Sequence, residues 1–294
     1  MHIVQTPFCN RGFEVMVSST NIRHKNFEWT TSVNLGLNRN KVLTTPTPEG
    51  FLQSNTNGSV TQIVKPGHDI YSWYMPKWLG VDPSNGDPVW EKLLYDDKGK
   101  VVGSEPTNVY NDAQKQIVGS ATPKFSGGFF NNFRLYNFSL NVACNFVYGN
   151  EIFNLDRTIM DNDGAFTNYN MVSFDNGLKW KRWEKPGDAA THPKAVSFGN
   201  KNSNAVSSRY LEDGSFFRIK NITLAYNFPK KLLSKLRMQG LKVYASVDNL
   251  ATFTKFSGMD PEIDLQGSSY NLAGMYSSPY PVGRTFMFGV DLTF

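Results

Sequence analysis

The end of the chain constrains the fold more than any other segment. Residues 284–294 read RTFMFGVDLTF and place an aromatic or aliphatic side chain at every second position. Successive side chains of a β-strand point to opposite faces, so these residues share one face. Such an aromatic, apolar face is typical of an outer-membrane β-barrel strand, where it meets lipid. The residues on this face are Phe286, Phe288, Val290, Leu292 and Phe294.

The composition agrees with strands that are apolar on one side only. Aromatic residues make up 14% of the chain, yet charged residues make up 19% and mean hydropathy is −0.39. No run approaches the roughly 18 to 20 apolar residues that a spanning helix requires, which excludes transmembrane helices. The net charge of +5 comes from interspersed basic and acidic residues. We therefore expect no nucleic-acid partner.

The same alternation recurs along the chain and predicts about nine strands. A weaker pair, 70–79 and 89–95, flanks the turn-rich sequence VDPSNGDP. The apolar parity flips near Asn221, which predicts a β-bulge, because one extra residue turns every later side chain over. The alternative is that Arg218 and Lys220 lie beyond the bilayer and face headgroups. The other strands lie within 13–17, 27–37, 129–148 (two arms), 217–228, 243–253 and 285–294.

The links between these strands differ greatly in length. Links 21–25 and 136–137 are short, whereas 150–214 and 255–283 are long and rich in Gly, Asn and Asp. Loops this long are uncommon in compact soluble domains, while outer-membrane barrels have short periplasmic turns and long extracellular loops. Counting strands back from Phe294 puts the short links on one side and both long loops on the other. The sequence predicts an all-β fold, an antiparallel transmembrane β-barrel segment.

A soluble all-β module that binds glycans is the alternative interpretation. A β-sandwich uses the same alternation to bury its core between two sheets. The sandwich would be soluble and monomeric without detergent, whereas the barrel segment would aggregate through its bare apolar face and unpaired edges.

One segment, PKKLLSKLRMQG at 229–240, is a helical candidate. Pro229 suits the first turn of a helix, and Leu232, Leu233 and Leu236 fall on one side. Its lysines form either a solvated cap on a periplasmic turn or a contact with anionic headgroups.

Candidate ligand contacts lie in the long loops and on the polar strand faces. Trp180 and Trp183 are candidates for stacking on sugar rings, and the alternative is that they pack the loop against itself or a partner. Asn141, Asn145 and Asp248 fall on polar faces and are candidates to line a lumen that contacts substrate.

The acidic motifs give no pattern for catalysis. Asp260 and Glu262 resemble paired carboxylates, but no pocket or nucleophile flanks them. MDNDG at 160–164 resembles a calcium loop, yet Phe166 and Val172 stand where an EF-hand requires Gly and Glu. A looser oxygen-ligand site stays open. We expect no catalytic residue, no metal site and no cofactor, and we do not expect an enzyme.

Four stretches resemble the TonB-dependent outer-membrane transporters of the SusC/RagA-like family of Bacteroidetes. They are GVDPSNGDPVW (80–90), IVGSATPKFSGGFFNNFRLYNFSL (117–140), SRYLEDGSFFRIKNITLAYNFPKKL (208–232), and the tail VYASVDNLATFTKFSGMDPEI (243–263) followed by SSPYPVGRTFMFGVDLTF (277–294). The last two are specific in combination.

The resemblance implies a plugged barrel of 22 strands, located in the outer membrane. It also implies a SusD-like surface lipoprotein as a lid, and uptake of oligosaccharides or peptides driven by the TonB complex. The sequence shows no signal peptide, plug or TonB-contact segment. We therefore expect residues 1–294 to be the carboxy-terminal barrel portion of a longer receptor, with the plug domain and early strands absent.

The final strand also resembles the signal that the barrel-assembly machinery recognises. Phe286, Phe288, Leu292 and Phe294 supply its aromatic and apolar pattern. The alternative is that Phe294 only anchors the strand at the periplasmic interface.

Overall fold

The computed structural model shows a protein built almost entirely from β-strands. Two short α-helices interrupt them, α1 (Leu155–Met160) and α2 (Lys230–Leu233), together with 3-10 turns at Tyr110–Asp112 and Ser208–Tyr210. The first eight strands are β1 (Phe8–Arg23), β2 (Phe27–Val42), β3 (Phe51–Ser54), β4 (Thr61–Val64), β5 (Ser72–Pro76), β6 (Trp78–Val81), β7 (Pro88–Tyr95) and β8 (Val101–Thr107). The others are β9 (Lys115–Ser120), β10 (Phe125–Leu135), β11 (Phe138–Tyr148), β12 (Glu151–Asn154), β13 (Leu211–Asp213), β14 (Phe216–Asn227), β15 (Gly240–Thr254), β16 (Met275–Tyr276) and β17 (Thr285–Thr293).

The structure describes most of the chain. Among the described residues, no helix is both long and apolar enough to cross a membrane. Of the helical candidate at 229–240, the described residues form only the short helix α2 (Lys230–Leu233), and Gly240 already begins β15. Leu236 lies outside the described residues. Those residues are 7–56, 58–166, 168–169, 172, 174, 177–234, 238–262 and 272–294.

Seven strands form one large sheet, which we call the wall. Their order is β1-β2-β10-β11-β14-β15-β17, and every neighbouring pair is antiparallel. Each strand therefore pairs with the wall strands that precede and follow it along the chain. This meander is the topology that an up-and-down barrel wall requires.

Residues directly opposite one another across the wall keep one chemical character. One row is apolar on all seven strands and the adjacent row is polar on six, because antiparallel partners point to the same face. The predicted polar and apolar faces are confirmed. The apolar row is Ile22, Trp29, Phe133, Leu140, Leu224, Ala245 and Phe288. The polar row is Thr20, Thr30, Asn132, Asn141, Thr223 and Ser246, and it ends at Met287.

The predicted bulge near Asn221 is also confirmed. The register of β14 shifts between Ile219 and Asn221 against both of its neighbours. Ile219 and Ile222 consequently lie on the same face, opposite Cys144 and Val142 of β11. The bulge therefore restores the apolar face on both sides of the parity change.

The weaker predicted pair of strands does not belong to the wall. Trp78–Val81 and Pro88–Tyr95 do form a hairpin, but with β8 they make a separate three-stranded sheet. Ser72–Pro76 joins a four-stranded sheet of order β3-β4-β5-β9. The wall in the described chain thus has seven of the roughly nine predicted strands.

All long connections leave the wall at the same end of its strands. The links 24–26, 136–137 and 228–239 are short, whereas 43–124, 149–215 and 255–284 are long. The two predicted long loops are present, and they also contain a further sheet of order β13-β12-β16, which the sequence did not predict. We call the three long connections together the outer layer.

The outer layer has a hydrophobic core of its own. Side chains from all three long connections meet in it, and Trp73 Nε1 donates a hydrogen bond to Glu151 O at 3.0 Å across two of them. Gln62 Nε2 donates to Ala273 O at 2.8 Å across the first and third. The outer layer is therefore one folded body. Its core residues are Val60, Trp73, Met75, Ala121, Phe153, Tyr210 and Met275.

The apolar face of the wall stays largely uncovered. Phe288 is 83% exposed and Phe286 is 64% exposed, and Leu224 and Phe138 are also exposed on this face. A β-sandwich would bury such a face against a second sheet. The soluble sandwich is therefore disfavoured by the described residues.

Replacement of Gly289 by Ala is expected to destabilise the end of the wall. Gly289 lies directly opposite Tyr244, and an added Cβ would lie 2.2 Å from Tyr244 Cζ. The ring must move or the strands must separate, which we expect to cost about 1–3 kcal/mol. Denaturant unfolding of the detergent-solubilised protein measures this loss. Gly283→Ala is the control, because an added Cβ there contacts nothing within 4 Å. Equal stability of the two variants would contradict the proposed contact.

Candidate functional site

The polar face of the wall carries three of the predicted ligand contacts. Asn141 and Asn145 lie on β11 and Asp248 on β15, and the register puts all three on the same face. Asn145 Oδ1 is buried and has no hydrogen-bond partner in the described part of the chain.

A hydrogen-bonded group fixes the position of Asp248. Asn221 Nδ2 donates to Asp248 Oδ1 at 2.6 Å and to Ser246 Oγ at 2.9 Å. Thr223 Oγ1 in turn donates to Asn221 Oδ1 at 2.9 Å. These contacts join β14 to β15 on the polar face, and they hold the carboxylate in place with no ion pair to any basic residue that the structure describes.

The two predicted tryptophans lie in the outer layer and make packing contacts there. The Arg157 guanidinium lies 4.4 Å from the ring centroid of Trp180, and the His192 ring lies 4.9 Å from it. Trp183 Nε1 donates to Pro83 O at 3.0 Å, which ties the second long connection to the first. These contacts agree with the packing interpretation, and a role in stacking on sugars stays a prediction.

Two clefts lie in or beside the outer layer, and one of them is lined by a predicted residue, Trp180. One of ≈ 410 Å³ is lined by Trp180 and Arg157 with other charged side chains of the outer layer. The other, of ≈ 260 Å³, lies where the polar face of the wall meets the outer layer and is lined by Glu14, Asn38 and Tyr71. Both are mixed polar and aromatic surfaces of a size that suits one sugar ring or one amino-acid side chain.

Beneath Trp180 lies a buried group of charges that we call the ion cluster. Asp161 Oδ2 lies 2.7 Å from Arg157 Nη2 and Asp161 Oδ1 lies 3.0 Å from Arg209 Nη2. Asp163 is bound by Arg209 and, at 2.8 Å, by Arg182 Nη1. All five side chains are largely buried, so each charge is held by a paired charge and by hydrogen bonds.

The charges of the ion cluster balance when His192 is neutral. Arg157 also binds Glu212 at 3.0 Å, so three guanidiniums face three carboxylates. Burial alone would raise the pKa of Asp161, but Arg209, His192 and Arg157 outweigh it and hold that pKa well below its usual range. Burial lowers the pKa of His192, and Arg209 and Arg157 lower it further against the opposing effect of Asp161.

Acidification is expected to loosen the outer layer through His192. Its pKa in the folded protein lies below the ordinary value of 6.5, so the unfolded chain takes up the proton first. This contribution to stability is complete above about pH 6.5 and declines as the pH falls towards the folded pKa. Limited proteolysis of the outer layer at pH 7.5 and 5.5 measures the effect.

His192→Gln is the matched variant for that experiment, because it keeps a polar side chain and removes the titration. We expect the variant to lose less protease resistance than the wild type between the two pH values. An identical loss in both proteins would mean that other groups set the pH response.

The carboxylates Asp260 and Glu262 hold the third long connection against the wall. Arg218 lies on the polar face of β14, with its side chain 2% exposed, and binds Asp260 Oδ1 at 2.5 Å and Glu262 Oε2 at 2.6 Å. Arg218 Nε also donates to Thr252 Oγ1 at 2.9 Å. Both carboxylates are thus engaged by one buried guanidinium, which explains the motif as structural and removes the alternative that Arg218 faces headgroups.

The sequence MDNDG is explained by the same principle. Asp161 and Asp163 bind arginines, and Asn162 Oδ1 accepts the backbone N–H groups of Gly164 and Phe166. Among the described residues, no group of three or more metal-ligating side chains has a geometry that would hold an ion.

Sequence reasoning did not identify the arginines of the ion cluster. Arg157, Arg182 and Arg209 are far apart in the chain, and only folding of the second long connection brings them together. The available signal was the pair of aspartates in MDNDG, which needed cationic partners if buried. For Arg218, the signal was a cation on a strand next to the parity change.

The architecture is thus an antiparallel wall with an outer layer at one end of its strands, and it is shared with known proteins. No family model matches the chain. The chain is 30% identical over 298 residues to TonB-dependent receptor P3 of Formosa agariphila, which covers 97% of this chain and 28% of the receptor. It is 26% identical over 298 residues to TonB-dependent receptor SusC of Bacteroides thetaiotaomicron, covering 97% of this chain and 26% of SusC.

Solved structures show the same fold. The structure of the RagAB peptide transporter superposes with a TM-score of 0.75 at 23% identity, covering 98% of this chain and 29% of that chain. The closed-closed state of the RagAB peptide importer gives a TM-score of 0.72 at 24% identity, covering 98% and 30%. The all-β fold is therefore that of part of a barrel receptor.

The family resemblance implied by the sequence is confirmed: the chain is a homologue of the TonB-dependent receptors, SusC among them. These relatives are receptors and transporters, not enzymes. The chain spans about 28% of the length of the first of these relatives.

Proposed function

We propose that this chain forms the carboxy-terminal part of the barrel of a TonB-dependent receptor in the outer membrane. One observation carries the proposal: a wall of seven strands has a continuous apolar face that stays uncovered and a polar face that meets the outer layer. Lipid is the environment that such a face requires, because its exposed side chains are apolar and a barrel wall crosses the bilayer with such a face turned outwards.

The proposal fixes the orientation of the molecule. The apolar face meets the hydrocarbon of the bilayer and the polar face lines the lumen. The short links 24–26, 136–137 and 228–239 lie at the periplasmic side, and the outer layer lies outside the cell. The plug domain and the early strands are supplied by other parts of the receptor.

In this proposal the receptor imports oligosaccharides or peptides. Asn141, Asn145 and Asp248 would contact a passing substrate from the lumen wall, and their position on one polar face supports this role. Trp180 would contribute from the cleft that it lines in the outer layer. Trp183, which is held against the first long connection, would contribute by packing that surface.

The partners follow from the same proposal. A SusD-like surface lipoprotein would close the outer face, and the TonB complex would act through the parts of the receptor that precede this chain. The relatives named above support the TonB complex as a partner, because SusC is a TonB-dependent receptor, and RagAB, a peptide importer, supports the peptide class of substrate. The chain itself performs no chemistry and supplies a fixed, polar surface.

Uptake by whole cells tests the proposal and separates the two substrate classes. Cells that carry or lack the receptor are given labelled mixtures of oligosaccharides and of peptides, with and without an uncoupler. We expect one class to accumulate only in cells with the receptor and an energised membrane. Uptake of both classes that is independent of the receptor would contradict the proposed function.

The role of Phe286, Phe288, Leu292 and Phe294 as an assembly signal stays a prediction. The structure places all four on or beside β17, on its apolar parity. Their exposure on that face agrees equally with contact to lipid and with recognition by an assembly factor.

A further inference from the structure

The link 228–239 is the longest of the three short links, and its described residues include two exposed lysines and one exposed leucine. Lys230 and Lys231 are exposed on α2. Leu232, which follows them, is 52% exposed. Leu233, the following residue, is 1% exposed. The helix therefore has one anchored leucine and one free leucine, with the free one beside two lysines.

This exposure is imposed by the fold of the link. Leu232 N donates to Pro229 O at 2.9 Å and Met238 N donates to Leu233 O at 3.2 Å, so backbone bonds hold both ends of the helical turn. The buried side chain of Leu233 anchors the helix, which packs beside β15. Leu232 consequently stays out of the protein interior because its neighbour occupies the buried position.

An aromatic cluster on the apolar face of the wall adjoins this link. The rings of Phe138 and Tyr226 lie 4.7 Å apart and those of Tyr226 and Phe228 lie 4.9 Å apart. Aromatic side chains at the end of an apolar face mark the boundary between hydrocarbon and headgroups. Phe228 is separated from Lys230 by Pro229 alone, so both lysines of α2 lie next to this boundary.

The two lysines have no acidic partner in the described part of the chain. The acidic residues at this end of the wall already form ion pairs. Glu28 binds Arg23 at 2.9 Å and Arg134 at 2.8 Å, and Asp291 binds Lys242 at 3.2 Å. Lys230 and Lys231 form no ion pair with any described residue. Their charges are therefore free for an external anion.

We propose that Lys230 and Lys231 bind the phosphates of anionic phospholipids in the leaflet that the short links meet, while Leu232 enters the acyl region. Charge complementarity and continuity with the aromatic boundary support this occupant. The inference rests on the proposed placement of the wall in a membrane. It adds a lipid-binding site whose ligand is unrelated to the transported substrate.

Lipid retention by the purified receptor tests this site. The receptor is inserted into nanodiscs of phosphatidylcholine with or without phosphatidylglycerol, transferred to detergent, and its bound lipids are counted by native mass spectrometry. We expect the wild type to retain phosphatidylglycerol in preference to phosphatidylcholine. Lys230→Gln with Lys231→Gln should weaken this preference about fivefold per lysine, which is the effect of one lysine near an anionic surface.

The matched control removes two exposed lysines from the outer layer, at the opposite end of the wall strands. Lys98 and Lys100 lie in the turn between β7 and β8, and Lys98→Gln with Lys100→Gln should retain the lipid preference of the wild type. Equal retention by the two double variants would overturn the lipid site, and so would full displacement of the lipid by inorganic phosphate. Failure of the wild type to insert into either nanodisc would instead overturn the proposed membrane function, and this inference with it.

Discussion

Arginine at position 142 is expected to keep the receptor out of the outer membrane, whereas arginine at position 141 is not. Val142 lies on the apolar face of β11, opposite Ile222, and Asn141 lies on the polar face, opposite Thr223. Arginine facing lipid at the bilayer midplane costs about 2–4 kcal/mol, while the lumen accepts a charge. The measurement is the amount of folded receptor in the outer-membrane fraction, detected by its heat-modifiable migration.

The pair of variants forms its own control. Both place the same side chain one residue apart in one strand, so differences in expression or charge cancel. Comparable membrane levels for Val142→Arg and Asn141→Arg would show that the two faces of the wall have been assigned wrongly.

Replacement of Arg209 by Leu is expected to unfold the outer layer while leaving the wall intact. Arg209 has a side chain only 2% exposed and binds both Asp161 and Asp163. Asp161 keeps Arg157 and Asp163 keeps Arg182, but the cluster then holds three buried carboxylates against two guanidiniums. An uncompensated buried charge costs about 3–5 kcal/mol. Trp78 lies 5.3 Å from the Arg209 guanidinium and Trp180 lies 4.4 Å from that of Arg157, so thermal unfolding followed by tryptophan fluorescence reports the change.

An exposed ion pair supplies the comparison. Arg23 binds Glu28 at 2.9 Å, but its side chain is 72% exposed, so Arg23→Leu should cost at most about 1 kcal/mol. If Arg209→Leu and Arg23→Leu reduced stability by similar amounts, the ion cluster would not be what holds the second long connection together.

The faces of the wall were predictable because the repeat of a strand is a local property. Alternation along 243–253 or 285–294 needs no knowledge of the neighbours, and one extra residue near Asn221 leaves a visible change of parity. The same local signal could not assign strands to sheets. The segments 70–79 and 89–95 alternate as wall strands do, yet their partners lie in the outer layer, and pairing depends on contacts distant in sequence.

The candidate site was also predictable in part, where it depends on local alternation, and unpredictable where it depends on tertiary contacts. The polar side of Asn141, Asn145 and Asp248 follows from parity, and the structure places them on one face. The contacts of Trp180 and the engagement of Asp260 by Arg218 arise only when long connections fold back. Composition shows that charges are present in these connections, but the pairing of those charges is tertiary.

The shared core of the outer layer links the order of synthesis to the order of folding. Trp73 comes from the first long connection, Phe153 from the second and Met275 from the third, and they pack in one interior. No single connection can be exchanged with that of another receptor without exposing part of this interior. The outer layer can be completed only when its third connection has been made, since that connection emerges just before β17. Variation in the surface of the outer layer is therefore expected to arise by coordinated change in all three connections.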